Sequence, residues 1–171
     1  MEAASSQTVL IRLARPEDSL EIADVHVRSW QKVYRGIMPD PFLDNLSAVK
    51  RGERWKQLLS QEHQIHVACI NGVVVGFSST RNNQEDSDTA ELSAIYIHPE
   101  HWGKGLGKAL FKSSCEALRA LGVERLMLWV ATDNSQARNF YSYLGMTVDG
   151  ITKRETFGGI EVEAIRYWFD L

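Results

Sequence analysis

The run Ala94-Ile95-Tyr96-Ile97, then His98-Pro99-Glu100-His101, then Trp102-Gly103-Lys104-Gly105-Leu106-Gly107, then an amphipathic segment to Leu121, constrains the chain most. It reads as strand, glycine loop, helix. Glycines at alternate positions let successive backbone N–H groups turn toward one point, and the following helix adds its own unpaired N–H groups and positive dipole end. An anion can be held there without a cationic side chain. Two familiar readings are excluded. The Walker A pattern needs Lys-Ser or Lys-Thr, whereas Ala109 follows Gly107-Lys108. The dinucleotide fingerprint needs two residues between its second and third glycines and an acidic residue after a second parallel strand; here the spacing is G-x-G-x-G. A pyrophosphate cradle of another type remains.

The 171 residues fit one domain, with 44% hydrophobic content and a formal net charge of −3, so no basic field favours nucleic acid. The first eight residues are polar and lack the positive start and apolar stretch of a signal peptide. No apolar run reaches the roughly 20 residues a membrane helix needs, and a cytoplasmic protein is expected. Cys69 and Cys115 read as core thiols. His26, His63, His66, His98 and His101 form no H-E-x-x-H pattern, so no metal is expected.

Taken in order, residues 9–13 predict a strand and Pro16-Glu17-Asp18 a helix start. Leu20, Ile22, Ala23, Val27 and Trp30 then form a packed helical face. Gly36, Pro39 and Pro41 make the next stretch a shaped loop, and a second helix over about residues 46–60 should bury Val49, Trp55, Leu58 and Leu59. Residues 64–70 and 73–81 are strands joined by Asn71-Gly72, a type I′ hairpin signal. Residues 82–89, with Glu85, Asp86 and Asp88, are an acidic loop tip. Residues 90–97 are the strand feeding the glycine loop, and Leu106, Leu110, Phe111, Ala117, Leu118 and Leu121 mark the buried face of the next helix, closed by Gly122. Residues 125–130 form a strand parallel to the one before that helix, residues 137–144 a helix, and residues 146–156 and 161–169 a closing hairpin around Gly158-Gly159. The expected order is βααβββαβαββ.

With the glycine loop between strand and helix, and Asn134-Ser135-Gln136-Ala137-Arg138-Asn139-Phe140-Tyr141-Ser142-Tyr143-Leu144-Gly145-Met146 after the next strand, the chain resembles the GNAT superfamily of N-acetyltransferases, single-domain and bacterial in type, over almost its whole length. The resemblance implies an α/β (α+β) fold, with a central mixed, mostly antiparallel seven-stranded sheet flanked by helices, in one domain over residues 1–171. It implies acetyl-CoA as donor. The pyrophosphate would lie on Gly103, Lys104, Gly105, Leu106, Gly107 and Lys108, and the pantetheine arm would add like a short strand to Ile95, Tyr96 and Ile97. Asn134 would hold that arm, with Arg138 and Phe140 beside it. Trp102 departs from the Arg or Gln the family usually places there; it lacks their hydrogen bonds and should pack near the loop.

Acetyl transfer to an amine needs a base, an oxyanion donor and an acid. Tyr141 matches the family's tyrosine that protonates the leaving sulfur, a phenol with reference pKa near 10 suiting that task; Tyr143 should face elsewhere. A backbone N–H of Ile95 or Ile97 is the expected oxyanion donor. Glu91 is the candidate base, with His26 a second. Trp30, Tyr34, Met38, Trp129 and the Gly158-Gly159 hairpin are the expected acceptor walls, by analogy. The acceptor is expected to be a primary amine of a small molecule, amino acid or peptide, with no nucleic-acid or membrane partner, and an exchanged or augmented C-terminal strand is compatible with a homodimer. The alternative is a CoA-binding sensor or regulatory module without catalysis.

Overall fold

The computed structural model describes residues 7–61, 64–83 and 86–171. The N-terminal run to Ser6, His63, and Glu85 of the acidic loop lie outside the described residues. The strands are β1 (Val9–Leu13), β2 (Gln64–Ile70), β3 (Val73–Asn82), β4 (Thr89–Ile97), β5 (Arg125–Ala131), β6 (Thr147–Phe157) and β7 (Ile160–Asp170). The helices are α1 (Ser19–Val33), α2 (Asp40–Asp44), α3 (Ala48–Leu59), α4 (Leu106–Ala120) and α5 (Ser135–Tyr143). One seven-stranded sheet runs β1-β2-β3-β4-β5-β7-β6. Every neighbouring pair is antiparallel except β4 and β5, which are parallel and joined through α4. This is the expected mixed, mostly antiparallel architecture.

Alternation along the strands divides the core between two faces. Ile65, Val67 and Phe77 meet Ile22 and Val25 of α1 and Trp55 of α3. On the opposite face Ala68, Ile70 and Val75 meet Leu106 and Leu110 of α4, while Leu126 and Leu128 meet Phe111, Leu118 and, from α5, Tyr141. The Asn71-Gly72 turn has φ of +51° and +87°, the doubly left-handed geometry that a two-residue hairpin requires.

Three expectations need correction. The shaped loop contains the short helix α2, because Pro41 is tolerated in a first turn and Leu43 is wholly buried. Val49 is 66% exposed; α3 instead closes on α1 at Gly52, where a Cβ would stand 2.7 Å from Leu20 Cδ2. Leu20 and Leu121 are also exposed, since helix-periodic apolar residues at the margin of a face need not be covered.

His26 lies inside the α1–α3 layer, stacked on Tyr96 at 5.4 Å and accepting the Trp55 indole N–H at 3.2 Å. Burial, with Arg51 and Arg54 nearby, depresses its pKa to about 3. The unfolded chain therefore binds one more proton between about pH 6.5 and 3. The stability this neutral histidine permits is fully present above the unfolded value and is lost as pH falls through that window, by up to roughly 1.4 kcal/mol per pH unit. His66, lowered by burial, adds in the same direction. Urea unfolding at pH 7, 5.5 and 4.5 is expected to show a falling midpoint, and His26→Gln to flatten that fall; an equally steep fall in the variant contradicts the assignment.

Candidate active site

The pairing of β4 with β5 covers only Thr89–Arg125, Ala90–Leu126 and Glu91–Met127. Beyond Glu91 the strands part. The cause lies on the other edge of β4: the β3–β4 register slips between Ser79 and Thr80, leaving Ser93 as an extra residue whose hydroxyl bonds the Ser79 carbonyl. Such a bulge bends its strand and re-aims the residues beyond it. His98 N–H donates to the Val75 carbonyl at 2.8 Å, so by alternation the N–H groups of Ala94 and Tyr96 face β3, and those of Ile95 and Ile97 face the opening. These are unpaired edge donors within a sheet.

A cleft of about 410 Å³ fills the splay. The glycine loop forms one end. Gly103 and Gly105 have φ of +75° and +76°, and Gly105 is the N-cap of α4 with no side chain to cap the first-turn amides. Nothing approaches within 4 Å of where a Cβ would be at either glycine, so the left-handed backbone, not crowding, demands glycine there. Gly107 differs: a Cβ would stand 3.1 Å from Phe140 Cζ, so this residue lets α5 approach α4.

All the expected donor-side residues line this cleft except Arg138. Arg138 instead donates to the Thr132 carbonyl at 3.2 Å and reaches the Tyr167 hydroxyl, tying α5 to the preceding loop and β7. Asn134 Oδ1 accepts the Ala137 N–H at 3.0 Å, capping α5, and the residue lines the cleft together with Tyr34. Trp102 does make a hydrogen bond: its indole N–H donates to the Ile97 carbonyl at 2.8 Å, and Ser29 donates to the same oxygen at 3.0 Å. The last edge carbonyl of β4 is thus closed. Tyr143, expected to face away, lines the cleft with Lys108 Nζ 5.4 Å from its ring centre.

Tyr141 is 9% exposed. Its hydroxyl makes no hydrogen bond among the described residues yet is not sealed from solvent, so it opens to the cleft. Burial pushes its pKa well above the usual phenol value, and Tyr34 nearby adds to the shift. The phenol stays protonated at any ordinary pH.

A second cavity of about 250 Å³ shares Tyr34, Leu92, Ser93, Tyr96 and Trp129 with the cleft. It gathers Trp30, Tyr34, Met38 and Trp129 of the expected acceptor walls, and the expected Gly158-Gly159 hairpin contributes through the neighbouring Phe157 and not through either glycine. Glu91 reaches this cavity, its Oε2 accepting Arg81 Nη2 at 2.7 Å and Nε at 3.1 Å. Lys153 pairs with Glu155 at 2.6 Å and lies over the Trp129 ring at 4.7 Å. His26, the second base candidate, lines neither cavity, because α1 turns it into the core between Trp55 and Tyr96.

His98, Glu100 and His101 bring their ligand atoms within 4.8 Å of one another, a grouping that no metal-ligand spacing marks in the sequence. However, His98 Nδ1 accepts the Glu100 N–H, and His101 Nδ1 meets Lys104 Nζ at 3.0 Å.

Arg81, Ser93, Glu155 and Phe157 were not singled out from the sequence, and Tyr143 was expected to face elsewhere. Arg81 and Glu91 become partners only through strand register, and Tyr143 had only its place in the Asn134-to-Met146 run to point to it.

A family model described as the acetyltransferase (GNAT) family matches residues 22–146. The uncharacterized N-acetyltransferase YuaI of Bacillus subtilis (strain 168) is 33% identical over 138 residues, 79% of each chain. The 5-NmdU N-acetyltransferase of Pseudomonas phage PaMx11 is 31% identical over 160 residues, 94% of this chain and 99% of that one. Among solved structures, the PaiA N-acetyltransferase of Thermoplasma acidophilum, in complex with coenzyme A, superposes with a TM-score of 0.77 at 22% identity, covering 96% of this chain and 99% of that one. The splayed sheet, the glycine loop and these relatives agree: the chain belongs to the acetyltransferase (GNAT) family and is an N-acetyltransferase.

Proposed function

We propose that the protein transfers an acetyl group from acetyl-CoA to a small primary amine whose body is apolar or aromatic. The observation that carries this reading is the splay itself, where unpaired N–H groups of β4 face a cleft that ends on an uncapped, glycine-led helix start. The donor fits these residues. First-turn amides of α4 and the backbone of residues 103–105 would hold its pyrophosphate, the Ile97 N–H and the Ile95 carbonyl would pair with its amide-bearing arm, and Lys108 with Tyr143 would border its outer end. When bound, it supplies an activated thioester. Ile95 N–H would steady negative charge on the thioester oxygen, and Tyr141 would protonate the departing sulfur. A single domain accommodates both substrates.

The second cavity supports this acceptor class. Its volume equals that of about eight waters at their liquid share of ~30 Å³ each, which suits an amino-acid-sized molecule. Trp30, Tyr34, Trp129 and Phe157 supply apolar walls, and the charges present are paired as Arg81 with Glu91 and Lys153 with Glu155. Glu91, held by Arg81, would receive the incoming ammonium and take its first proton. Glu91→Gln is expected to lower kcat/KM by about 10- to 100-fold with acetyl-CoA affinity unchanged by calorimetry; full activity would remove Glu91 from that role.

Incubation with acetyl-CoA and separate amines (2-phenylethylamine, L-phenylalanine, L-lysine, spermidine, a glycyl peptide) tests the reading by thiol release and product mass. Amine-dependent release, fastest with the aromatic amines, is expected. A folded protein that binds acetyl-CoA and consumes it with no amine would overturn the reading in favour of a CoA-binding sensor.

A further inference from the structure

An amine that enters as an ammonium loses two protons during acetyl transfer, one before it attacks and one after. Glu91 accounts for the first. The second is released at the junction of the two cavities, where, among the described residues, no carboxylate lines both: Glu91 and Glu155 line only the acceptor cavity. What does occupy the junction is a pair of phenols. Tyr34, the C-cap of α1, and Tyr96 of β4 have their hydroxyl oxygens 3.3 Å apart, and both line the cleft and the acceptor cavity. Tyr141 lines the cleft alone.

We propose that Tyr34 and Tyr96 form a proton relay that carries the second amine proton from the acceptor cavity to Tyr141. This rests on the acetyl-transfer reading above. As the nitrogen–carbon bond forms and the carbon–sulfur bond breaks, the nitrogen gives its surplus proton to the phenol pair. The pair passes one of its own protons through water in the cleft to Tyr141, which gives its proton to the sulfur. Each hydroxyl ends with one proton, CoA leaves as the thiol, and no further reactant is required.

The surroundings of the pair suit relaying and not storing charge. His26 stacks on Tyr96 and is held neutral by burial. The Arg51 guanidinium, half-buried on α3 and 4.8 Å from the Trp30 ring centre, is the cation near Tyr96. The Trp30 indole N–H is buried with no hydrogen-bond partner among the described residues, and its ring lies 5.0 Å from that of Tyr34, leaving an unused donor beside the pair. Asn134, the N-cap of α5, lines the cleft together with Tyr34. Burial raises the pKa of Tyr34, Tyr96 and Tyr141 alike, so all three rest as hydroxyls that can accept and donate together.

The test uses Tyr34→Phe and Tyr96→Phe in the full chain, with the fastest amine of the panel above. Each variant is expected to lower kcat by about 10-fold or more, with acetyl-CoA affinity within about twofold of the parent by calorimetry. A proton inventory in mixed H2O and D2O distinguishes relaying from packing: the parent's kcat should give a bowed plot, from several protons moving together, and each variant a straight one. Loss of kcat with a straight plot in either variant supports the relay. Parental kcat in both variants, or a plot as bowed as the parent's, overturns it while leaving the acetyl-transfer reading in place. Absence of amine-dependent thiol release by the parent overturns both.

Discussion

Tyr141→Phe is expected to lower kcat by about 100-fold or more, the usual range for a lost general acid being 10²–10⁴, while acetyl-CoA affinity changes less than twofold. The ring is embedded between Phe140, at 5.3 Å, and Tyr167, at 6.2 Å, and those contacts survive the substitution. Only the oxygen is lost. It has no hydrogen-bond partner among the described residues, so its removal orphans no buried group and stability should scarcely move. The deficit should shrink with a donor whose thiol is more acidic, because such a thiolate departs without help. A variant that loses acetyl-CoA affinity in proportion to kcat would make Tyr141 a binding residue instead.

Phe77→Ala is expected to be the most damaging core substitution, costing about 3–5 kcal/mol. Phe77 is fully buried in β3, 4.9 Å from the Trp55 ring, 5.7 Å from His26 and 5.9 Å from Tyr96. Removing it leaves a cavity beneath β4, which carries both the unpaired edge and Tyr96 of the phenol pair. For a chain of this length each kcal/mol moves Tm by roughly 2–4 °C, so a fall of about 6–20 °C is expected in scanning calorimetry. Activity per folded molecule should also drop, since Tyr96 loses the ring that supports it. A shift under about 3 °C would mean that the α1–α3 layer is not the main stabilising core.

The parts of the site that a local pattern specifies were legible in the sequence. The glycine spacing at residues 103–107 requires left-handed backbone before a helix, and residues 134–141 supply a cap and a helix in contact with it. What depends on pairing was not. The splay comes from one extra residue, Ser93, and a Ser in a strand carries no mark of being a bulge. Trp102 stood out as an oddity, but its bond to the Ile97 carbonyl required knowing how the loop folds back. Arg138 has the expected position on α5, yet Thr132 and Tyr167 offered its guanidinium acceptors away from the cleft. Tyr34 and Tyr96, 62 residues apart, meet only because α1 crosses β4 at the point where β4 leaves β5.

The central claim is that the exposed edge of β4 receives the donor. Amide hydrogen exchange with residue resolution, with and without acetyl-CoA, tests it most directly. Ile95 N–H should exchange rapidly in the free protein, while Tyr96 N–H, facing β3, is already protected. On adding acetyl-CoA, Ile95 should slow by at least tenfold together with Leu106, Gly107 and Lys108 at the start of α4. Unchanged exchange at Ile95 under saturating acetyl-CoA would place the donor elsewhere and contradict the account.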